Sequence, residues 1–287
     1  MITDSTITWG ELCREASISL ASVQEARWLC EHASGLSANE FDAAGSELVN
    51  ERSGIAFREL VRRRVAGEPL QYVMQRWAFR SLDVFVDPRV LIPRPETELV
   101  TQIALDLARS RQLPIRIADL GTGSGVIGLA IASEMPLSGV EVWLTDISSD
   151  ALNVARANLA GLGLVGGDVR IACGSWFAAL PDELQHSLDI VVSNPPYIAL
   201  DDASVEPTVR NWEPHLALYS GTDGLDAHRA IISQAQNWLV KSGWLVLEIG
   251  HEQGSAIRGL LLQNNFADIE IRQDYSHHDR IALARKL

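Results

Sequence analysis

From residue 115 onward, short apolar segments alternate with longer segments of helical periodicity. This alternation predicts a parallel sheet with helices on both faces. Two last strands have no helix between them and should pair as an antiparallel hairpin at one edge, which gives a doubly wound, mostly parallel, seven-stranded α/β sheet. The predicted strands are 115–120, 141–146, 168–172, 190–194, 244–249, 268–273 and 280–285, and the predicted helices are 125–133, 150–160, 177–185, 227–240 and 253–263.

A glycine-rich loop follows the first predicted strand, where a ligand can approach the backbone at a helix N-terminus. Gly123, Gly125 and Gly128 match the dinucleotide pattern G-x-G-x-x-G, a weak signal by itself. A second pattern fits the loop better: an acidic residue stands two positions before the first of three glycines that occupy alternate positions. This pattern resembles the S-adenosylmethionine loop of doubly wound methyltransferases. In that pattern the carboxylate meets the positive methionine amino group. The residues concerned are Asp119, Gly121, Thr122, Gly123, Ser124 and Gly125.

The next two strands are followed by an acidic and an aromatic residue. Asp146 ends the second strand, where a carboxylate can accept both hydroxyl groups of an adenosine ribose. It could instead cap the next helix, but Ser149 and Asp150 can fill that role, so the ribose role is favoured. Trp176 follows the third strand and either offers a surface to adenine or packs in the core.

The fourth strand is followed by Asn194-Pro195-Pro196-Tyr197. Two consecutive prolines end a strand because neither has an N–H to donate. The stiff loop that results offers the Asn194 amide, carbonyl acceptors and the flat ring of Tyr197. Such a loop suits the capture of a planar, NH2-bearing group, but by itself it does not distinguish a glutamine amide from a nucleobase.

Residues 1–75 have apolar residues at three-to-four spacing, which predicts a helical bundle. We expect this domain to bind the substrate protein; the alternative is a bundle that only supports folding. The basic run 62–64 on its last helix is most simply a solvated face.

Residues 76–95 are predicted to form a hairpin and linker before a catalytic domain at 96–287. The segment 79–87 alternates like a hairpin strand, and Pro95 is well suited to start a helix at 96–108. Arg94 lies between two prolines and is held in extended backbone. A role in the site and a role as plain linker are equally compatible with this pattern.

Three other places near the predicted crevice carry polar residues. Glu213 lies in a predicted flap at 212–218, and Glu248 lies at the end of the fifth strand. Each could contact cofactor or substrate, or lie on the surface. His277 and His278 separate the last two strands and are most simply a polar turn.

Composition narrows the class of partner. The chain has 287 residues and a net charge of −13, which is a poor match for nucleic acid and a good one for a basic protein. Three widely spaced cysteines indicate neither a disulfide framework nor a zinc site, so we expect a reducing cytoplasm and no metal. There is no apolar run of membrane-span length, and residues 1–6 lack the pattern of a signal peptide. We also expect a monomer.

The glycine loop and the tetrapeptide together resemble the amino-group methyltransferases. Three further features narrow this resemblance: the N-terminal helical segment, the sequence IPRPETE at 92–98, and GEPL at 67–70. Together they resemble the HemK/PrmC-type family, which methylates the side-chain amide nitrogen (N5) of the glutamine in the Gly-Gly-Gln loop of peptide chain release factors and so tunes translation termination. The resemblance covers nearly the whole chain.

This resemblance implies S-adenosylmethionine as cofactor and release factors as partners. Cofactor residues carry over to the glycine loop, Asp146, Trp176 and Asn194. Substrate contacts carry over to the tetrapeptide, Asn194, Pro195, Pro196 and Tyr197. Asn194 Oδ1 and the Pro195 carbonyl would each accept one amide N–H, so no strong base is needed.

Three alternatives stay open at this stage. A sister family with the same motifs methylates a glutamine of a ribosomal protein. An adenine or guanine amino methyltransferase would use the same tetrapeptide on a flipped base, against which the acidic charge counts. A cofactor-binding assembly factor without catalysis would not need Asn194 and Tyr197.

Overall fold

The computed structural model describes residues 7–136, 138–163 and 168–287. The chain forms two compact units, Met1–Arg76 and Trp77–Leu287. Residues 1–6, on which the expectation about a signal peptide rests, lie outside the described residues. Across the described ranges, no helix combines the length and the apolar character needed to cross a membrane.

The first unit is helical, as its apolar spacing predicts. Side chains of Thr8, Ser22 and Asn50 cap three of its helices by accepting N–H groups of the first turn. Trp9 lies at the centre of the core, with its ring edge-on to Phe41 at 6.0 Å and to Phe57 at 6.4 Å. The helices are α1 (Trp9–Leu20), α2 (Val23–Ser34), α3 (Ala38–Ala44), α4 (Glu51–Val65) and α5 (Leu70–Met74).

The basic run 62–64 is paired within this unit. Its arginines form ion pairs, in chain order, with Glu59, Glu68 and Glu25. The run is therefore neutralised by its own unit and does not offer three free cations to a ligand.

The hairpin differs from the predicted strand at 79–87. Its strands are shorter, β1 (Trp77–Phe79) and β2 (Leu82–Val84), and they pair antiparallel. Arg80 has a positive φ of 52°, which places it in the turn and ends the first strand early. The helix expected to follow is present as α6 (Pro95–Arg109), with Pro95 in its first turn.

The large sheet confirms the predicted seven-stranded, mostly parallel architecture. Within the described residues the strand order is β5-β4-β3-β6-β7-β9-β8, where β9 is antiparallel to both neighbours and the other pairs are parallel. The strands are β3 (Ile115–Leu120), β4 (Val140–Asp146), β5 (Val169–Cys173), β6 (Leu188–Ser193), β7 (Leu239–Glu248), β8 (Phe266–Gln273) and β9 (Asp279–Lys286). The helices of this unit after α6 are α7 (Val126–Glu134), α8 (Ser149–Gly161), α9 (Pro207–Trp212), α10 (His215–Leu218), α11 (Asp226–Ala235) and α12 (Gly254–Gln263).

Two predicted helices are wrong in extent. The segment 177–185 forms two 3-10 turns, Trp176–Ala179 and Asp182–Leu184, because Pro181 between them has no N–H and disfavours a helix before it. The helix predicted at 227–240 ends at Ala235, and Trp238 leaves it to stack on Phe177 with ring centroids 5.5 Å apart.

The order of the strands positions the site. Strands β4 and β5 are added on one side of β3, whereas β6 and β7 are added on the other. Ligands of such sheets bind at this switch point, beyond the carboxyl ends of the strands. The glycine loop follows β3, Asp146 ends β4, Asn194 follows β6, and Glu248 ends β7. The topology thus brings residues that are far apart in the sequence to one edge.

Candidate active site

The glycine loop joins β3 to α7 with a backbone that only glycine adopts readily. Gly121 and Gly125 have φ values of 68° and 89°. A Cβ added to Gly121 would lie 3.2 Å from the Trp176 ring. The loop therefore needs glycine at this point both for its conformation and for its contact with Trp176.

The carboxylate of Asp119 lies beneath this loop and does not line the cavity described below. Its Oδ2 accepts hydrogen bonds from Thr122 Oγ1 at 2.5 Å and from the Gly128 N–H at 3.0 Å. Its Oδ1 is buried and has no hydrogen-bond partner among the residues that the structure describes, and burial raises the pKa of Asp119 to about 6. The structure thus shows Asp119 as a brace of the loop with one unused acceptor, and its contact with a cofactor amino group stays a prediction.

Asp146 lines the cavity at the end of β4. Its carboxylate accepts the N–H groups of Gly123 and Ser148, both at 2.9 Å, and burial raises its pKa. The cap of α8 is Ser148, whose hydroxyl accepts the Ala151 N–H at 3.2 Å. Asp146 is therefore not needed as the helix cap, and two backbone donors orient its carboxylate where it lines the cavity.

The cavity has a volume of about 430 Å³, within the range of small-molecule sites. It is lined by the glycine loop at 121–124, by Asp146, by Trp176 and by the segment 89–91. A glycine-rich loop at a helix N-terminus, a carboxylate and an indole ring match the backbone contacts, the ribose and the adenine of S-adenosylmethionine. The unpartnered Asp119 Oδ1 adds a buried negative acceptor below the same loop, so the residues present fit this cofactor.

Asn158 on α8 connects the glycine loop to the segment after the hairpin and was not predicted. Its amide accepts the Phe85 N–H at 2.7 Å and donates to the carbonyls of Phe85 and Ser124 at 3.0 and 2.8 Å. One side chain thereby joins the segment after the hairpin to the glycine loop. An asparagine within an amphipathic helix gives no sequence signal for such a role.

The amide of Asn194 is fixed by a hydrogen-bonded chain behind it. Asn194 Nδ2 donates to Thr97 Oγ1 at 3.1 Å, and Thr97 Oγ1 donates to Glu248 Oε2 at 2.7 Å. The Tyr197 hydroxyl is 3.4 Å from Glu248 Oε1. Three elements, the tetrapeptide, the start of α6 and the end of β7, therefore meet in one polar cluster.

Glu248 is 1% exposed, so its surface alternative is wrong. Burial raises its pKa to about 7, against the opposing effects of the Thr97 hydrogen bond and of Arg280. Burial also raises the pKa of Tyr197 well above its usual range, which keeps the phenol protonated.

A second cavity of about 600 Å³ meets the first at Asn194. Asn194, Leu91 and Ala217 line both cavities, whereas Tyr197 and Arg94 line only the second. The tetrapeptide is thus shared between a space that fits the cofactor and an adjoining one that can receive a second molecule. Pro196 lines the first cavity. Pro195, which lies between Asn194 and Pro196 in the sequence, is buried.

Arg94 and Glu213 contact each other directly. Arg94 Nη2 lies 2.5 Å from Glu213 Oε1, and Glu213 Oε2 accepts the Ile92 N–H at 3.1 Å. Glu213 is 4% exposed, so the surface-loop alternative is wrong. The pair fastens the flap at 212–218, which runs from the end of α9 through α10, to the segment before α6.

Gln253 also holds the tetrapeptide and was not predicted. Its Nε2 donates to the Tyr197 carbonyl at 2.9 Å, while its Oε1 accepts the Gly250 N–H at 2.9 Å. His277 and His278 lie, as expected, in a turn between β8 and β9. They contribute no lining to either of the two cavities.

Comparison with known proteins gives consistent matches. Residues 9–74 match the PrmC N-terminal domain, and residues 99–210 match the Methyltransferase small domain. A release factor glutamine methyltransferase of Xylella fastidiosa (strain Temecula1) is 42% identical over 80% of this chain and 81% of its own length. One of Burkholderia pseudomallei is 38% identical over 98% of this chain and 97% of its own. The solved structure of a methyltransferase from Pyrococcus furiosus matches with a TM-score of 0.52 at 15% identity, over 82% of this chain and 98% of that one, which shows a shared fold alone.

Proposed function

The chain belongs to the release factor glutamine methyltransferase family, and from this membership we propose that it methylates the glutamine of the Gly-Gly-Gln loop of peptide chain release factors. It is a protein-glutamine N-methyltransferase that uses S-adenosylmethionine. The product is a glutamine whose side-chain amide nitrogen (N5) carries one methyl group. The proposed consequence is a change in the efficiency of translation termination.

The orientation of Asn194 at the junction of the two cavities is the observation that best supports this function. Because its NH2 group faces Thr97, its Oδ1 is left for a donor in the cavities. An oxygen held in that place suits the NH2 group of a glutamine side chain. The carbonyl of Pro195, next in the stiff loop, is a second acceptor for the other amide proton.

We propose that the first cavity holds the cofactor. Asp146 would accept the ribose hydroxyls, Trp176 would cover the adenine, and the loop at 121–125 would approach the methionine end above Asp119. When bound there, S-adenosylmethionine supplies a methyl group on a sulfonium, a strong electrophile. The remaining task of the protein is to hold the acceptor nitrogen in line with that methyl group.

An amide nitrogen is a weak nucleophile because its lone pair is delocalised into the carbonyl. Two acceptors that hold both N–H bonds orient this lone pair and favour the positive charge that develops on nitrogen. Acceptors fixed in advance need not reorganise during transfer. One proton then leaves the nitrogen, either to water or through Asn194 Oδ1, and the neutral methylated amide remains. Tyr197 would flank the amide plane or the sulfonium.

We propose separate roles for the parts of the chain. Residues 1–75 bind the substrate protein, residues 76–95 form the hairpin and linker, and residues 96–287 carry catalysis. Exposed apolar side chains on the first unit support the binding role, among them Ile18 and Val23 at 80% and 74% exposed.

We also propose a cytoplasmic monomer without direct contact to nucleic acid. The net charge of −13 supports a protein as partner. Cys13, Cys30 and Cys173 are free thiols, which suits a reducing compartment. Light scattering of the purified protein, alone and with RNA, tests both expectations.

The experiment that tests this function is a competition for the methyl group. The enzyme, labelled cofactor, a purified release factor, ribosomal protein and RNA are incubated together, and the labelled product is identified by mass spectrometry. The proposal predicts one added methyl on the glutamine of the Gly-Gly-Gln peptide. Label on a ribosomal protein or on RNA, with none on that peptide, would support one of the alternatives instead.

A further inference from the structure

Thr97, in the first turn of α6, lies between the catalytic asparagine and a buried carboxylate. Its hydroxyl is 2.7 Å from Glu248 Oε2 and 3.1 Å from Asn194 Nδ2. Thr97 and Glu248 are only 2% and 1% exposed. Because bulk water is excluded from these two groups, the hydrogen bonds among the three residues depend on which atoms carry protons.

The protons of this chain can be counted. A charged carboxylate only accepts hydrogen bonds, so Thr97 must donate its single hydroxyl proton to Glu248. The Thr97 oxygen then has only lone pairs to offer to Asn194. Those lone pairs accept a hydrogen bond from the NH2 group of Asn194. They repel the Asn194 amide oxygen, so the orientation in which that oxygen faces Thr97 is disfavoured. The charge on Glu248 therefore determines which end of the Asn194 amide faces the cavities.

We propose that Thr97 and Glu248 are positioning residues that hold the Asn194 oxygen toward the substrate amide, and that protonation of Glu248 releases this orientation. The inference rests on the proposed function. A protonated Glu248 can donate to Thr97, and the Thr97 hydroxyl can then donate to Asn194 Oδ1. The Asn194 amide turns over, and its NH2 group faces the NH2 group of the glutamine, which leaves two donors opposed.

The surroundings of Glu248 place this change near neutral pH. Burial raises its pKa to about 7. The charged and titratable groups that face it are Glu96 on α6, Tyr197 after β6, Arg280 on β9 and His228 on α11. Arg280 is itself paired with Asp274, and His228 contacts the Glu248 backbone carbonyl at 2.9 Å. Burial lowers the pKa of His228 to about 4, so this ring stays neutral across the range concerned.

The first test measures kcat against pH with a Gly-Gly-Gln peptide. Wild-type kcat is expected to fall as the pH drops through about 7. Thr97→Val keeps the shape but removes the hydroxyl, and kcat should fall by about tenfold or more with cofactor affinity unchanged. Thr97→Ser should restore kcat. Glu248→Gln should lower kcat and remove the acid limb, because the amide does not titrate.

A matched control is Thr101→Val, one turn further along α6. Thr101 is also buried, but its hydroxyl donates to the backbone carbonyl of Thr97 and not to the side chains of Thr97, Asn194 or Glu248. This variant should keep the wild-type kcat and pH profile.

A second readout does not depend on activity. The side-chain NH2 signals of Asn194, followed by nitrogen-15 NMR in the protein with cofactor, should shift with a midpoint near pH 7 in the wild type. That transition should be absent in Glu248→Gln. The inference is overturned if Thr97→Val retains wild-type kcat, or if the Asn194 signals show no transition that Glu248→Gln removes. A wild-type enzyme that shows the NMR transition but methylates no glutamine would contradict the proposed function alone.

Discussion

At the scale of single residues, the site combines a few groups whose orientation is fixed by hydrogen bonds to neighbouring groups of the protein. Asn194 is held by Thr97, Asp146 by the N–H groups of Gly123 and Ser148, and the Tyr197 carbonyl by Gln253. In each case a hydrogen bond with a neighbouring group of the protein fixes how the residue is oriented at the cavity. Such prior orientation is what a methyl transfer to a weak nucleophile requires.

Asp146→Ala tests the ribose assignment. The variant should bind S-adenosylmethionine about tenfold to a hundredfold more weakly, because hydrogen bonds to a charged acceptor are lost. Calorimetry measures the affinity. Asp150→Ala, which removes an exposed carboxylate from the first turn of α8, is the control and should bind nearly as well as the wild type. Unchanged affinity in Asp146→Ala would refute the assignment.

Glu248→Gln tests the energetic consequence of the buried carboxylate. The pKa of Glu248 is raised from 4.5 to about 7, so between these values the folded state holds a proton that the unfolded state has released. The free energy of unfolding of the wild type therefore decreases as the pH rises through this window. The variant lacks this pH-dependent decrease. Between pH 4.5 and pH 8 its free energy of unfolding should therefore rise, relative to that of the wild type, by on the order of 1–3 kcal/mol.

Urea denaturation of both proteins at the two pH values measures this difference. The exposed Glu252→Gln is the control and should show no such gain. A Glu248→Gln variant that loses stability relative to the wild type as the pH rises would contradict the pKa shift. Gained stability together with reduced kcat would identify Glu248 as a residue kept for function at the expense of stability.

The sequence predicts single residues well where they follow a strand. Asp146, Asn194 and Glu248 each stand at the carboxyl end of a predicted strand, and all three line or support the crevice. The contact between Thr97 and Glu248 spans 151 positions and depends on the order of the strands in the sheet. Local pattern does not contain that order, so the polar chain behind Asn194 could not be predicted.

At the scale of elements, the glycine loop and its neighbours define the cofactor cavity. The loop packs against Trp176, which itself has a positive φ of 49° at the start of a 3-10 turn. The structure has two 3-10 turns here in place of the regular helix predicted over 177–185. Pro181 is the sequence signal that should have shortened that helix.

Gly121→Ala tests the fit between loop and ring. The added Cβ meets the Trp176 ring at 3.2 Å, and the φ of 68° is unfavourable for alanine. We expect a loss of about 1–2 kcal/mol in the free energy of unfolding and weaker cofactor binding. Thermal and urea denaturation, with calorimetry of the cofactor, measure both effects.

Gly161→Ala is the matched control for this change. Gly161 ends α8, and among the described residues, its own helix backbone and chain neighbours aside, no heavy atom lies within 4 Å of the position its Cβ would take. The control should be neutral or slightly stabilising. A Gly121→Ala protein as stable as the control, with wild-type cofactor affinity, would contradict the packing described for the loop.

At the scale of the whole molecule, the two units divide binding and chemistry in our proposal. The sequence predicted both parts, because their patterns differ: helical spacing in residues 1–75 and strand–helix alternation after residue 115. The structure groups the hairpin with the second unit, since the division lies between Arg76 and Trp77. No local feature of the sequence predicts which surface of residues 1–75 would contact the substrate protein.

Ile18→Ser combined with Val23→Ser tests the binding role of the first unit. Both side chains are exposed, so folding should be little affected. The KM for an intact release factor should rise about tenfold, whereas the KM for a Gly-Gly-Gln peptide should not change, because a peptide lacks the rest of the partner. Glu15→Gln, an exposed change on α1, is the control. Equal effects on protein and peptide would argue against a docking role.

The central claim is that Asn194 holds the glutamine amide, while the glycine loop, Asp146 and Trp176 provide most of the contacts to the cofactor. The most direct measurement compares Asn194→Ala with the wild type in single-turnover methylation of the release factor glutamine and in calorimetric binding of S-adenosylmethionine. We predict a loss of roughly a hundredfold or more in transfer with nearly unchanged cofactor affinity. An Asn194→Ala enzyme that methylates the glutamine at the wild-type rate would contradict the account.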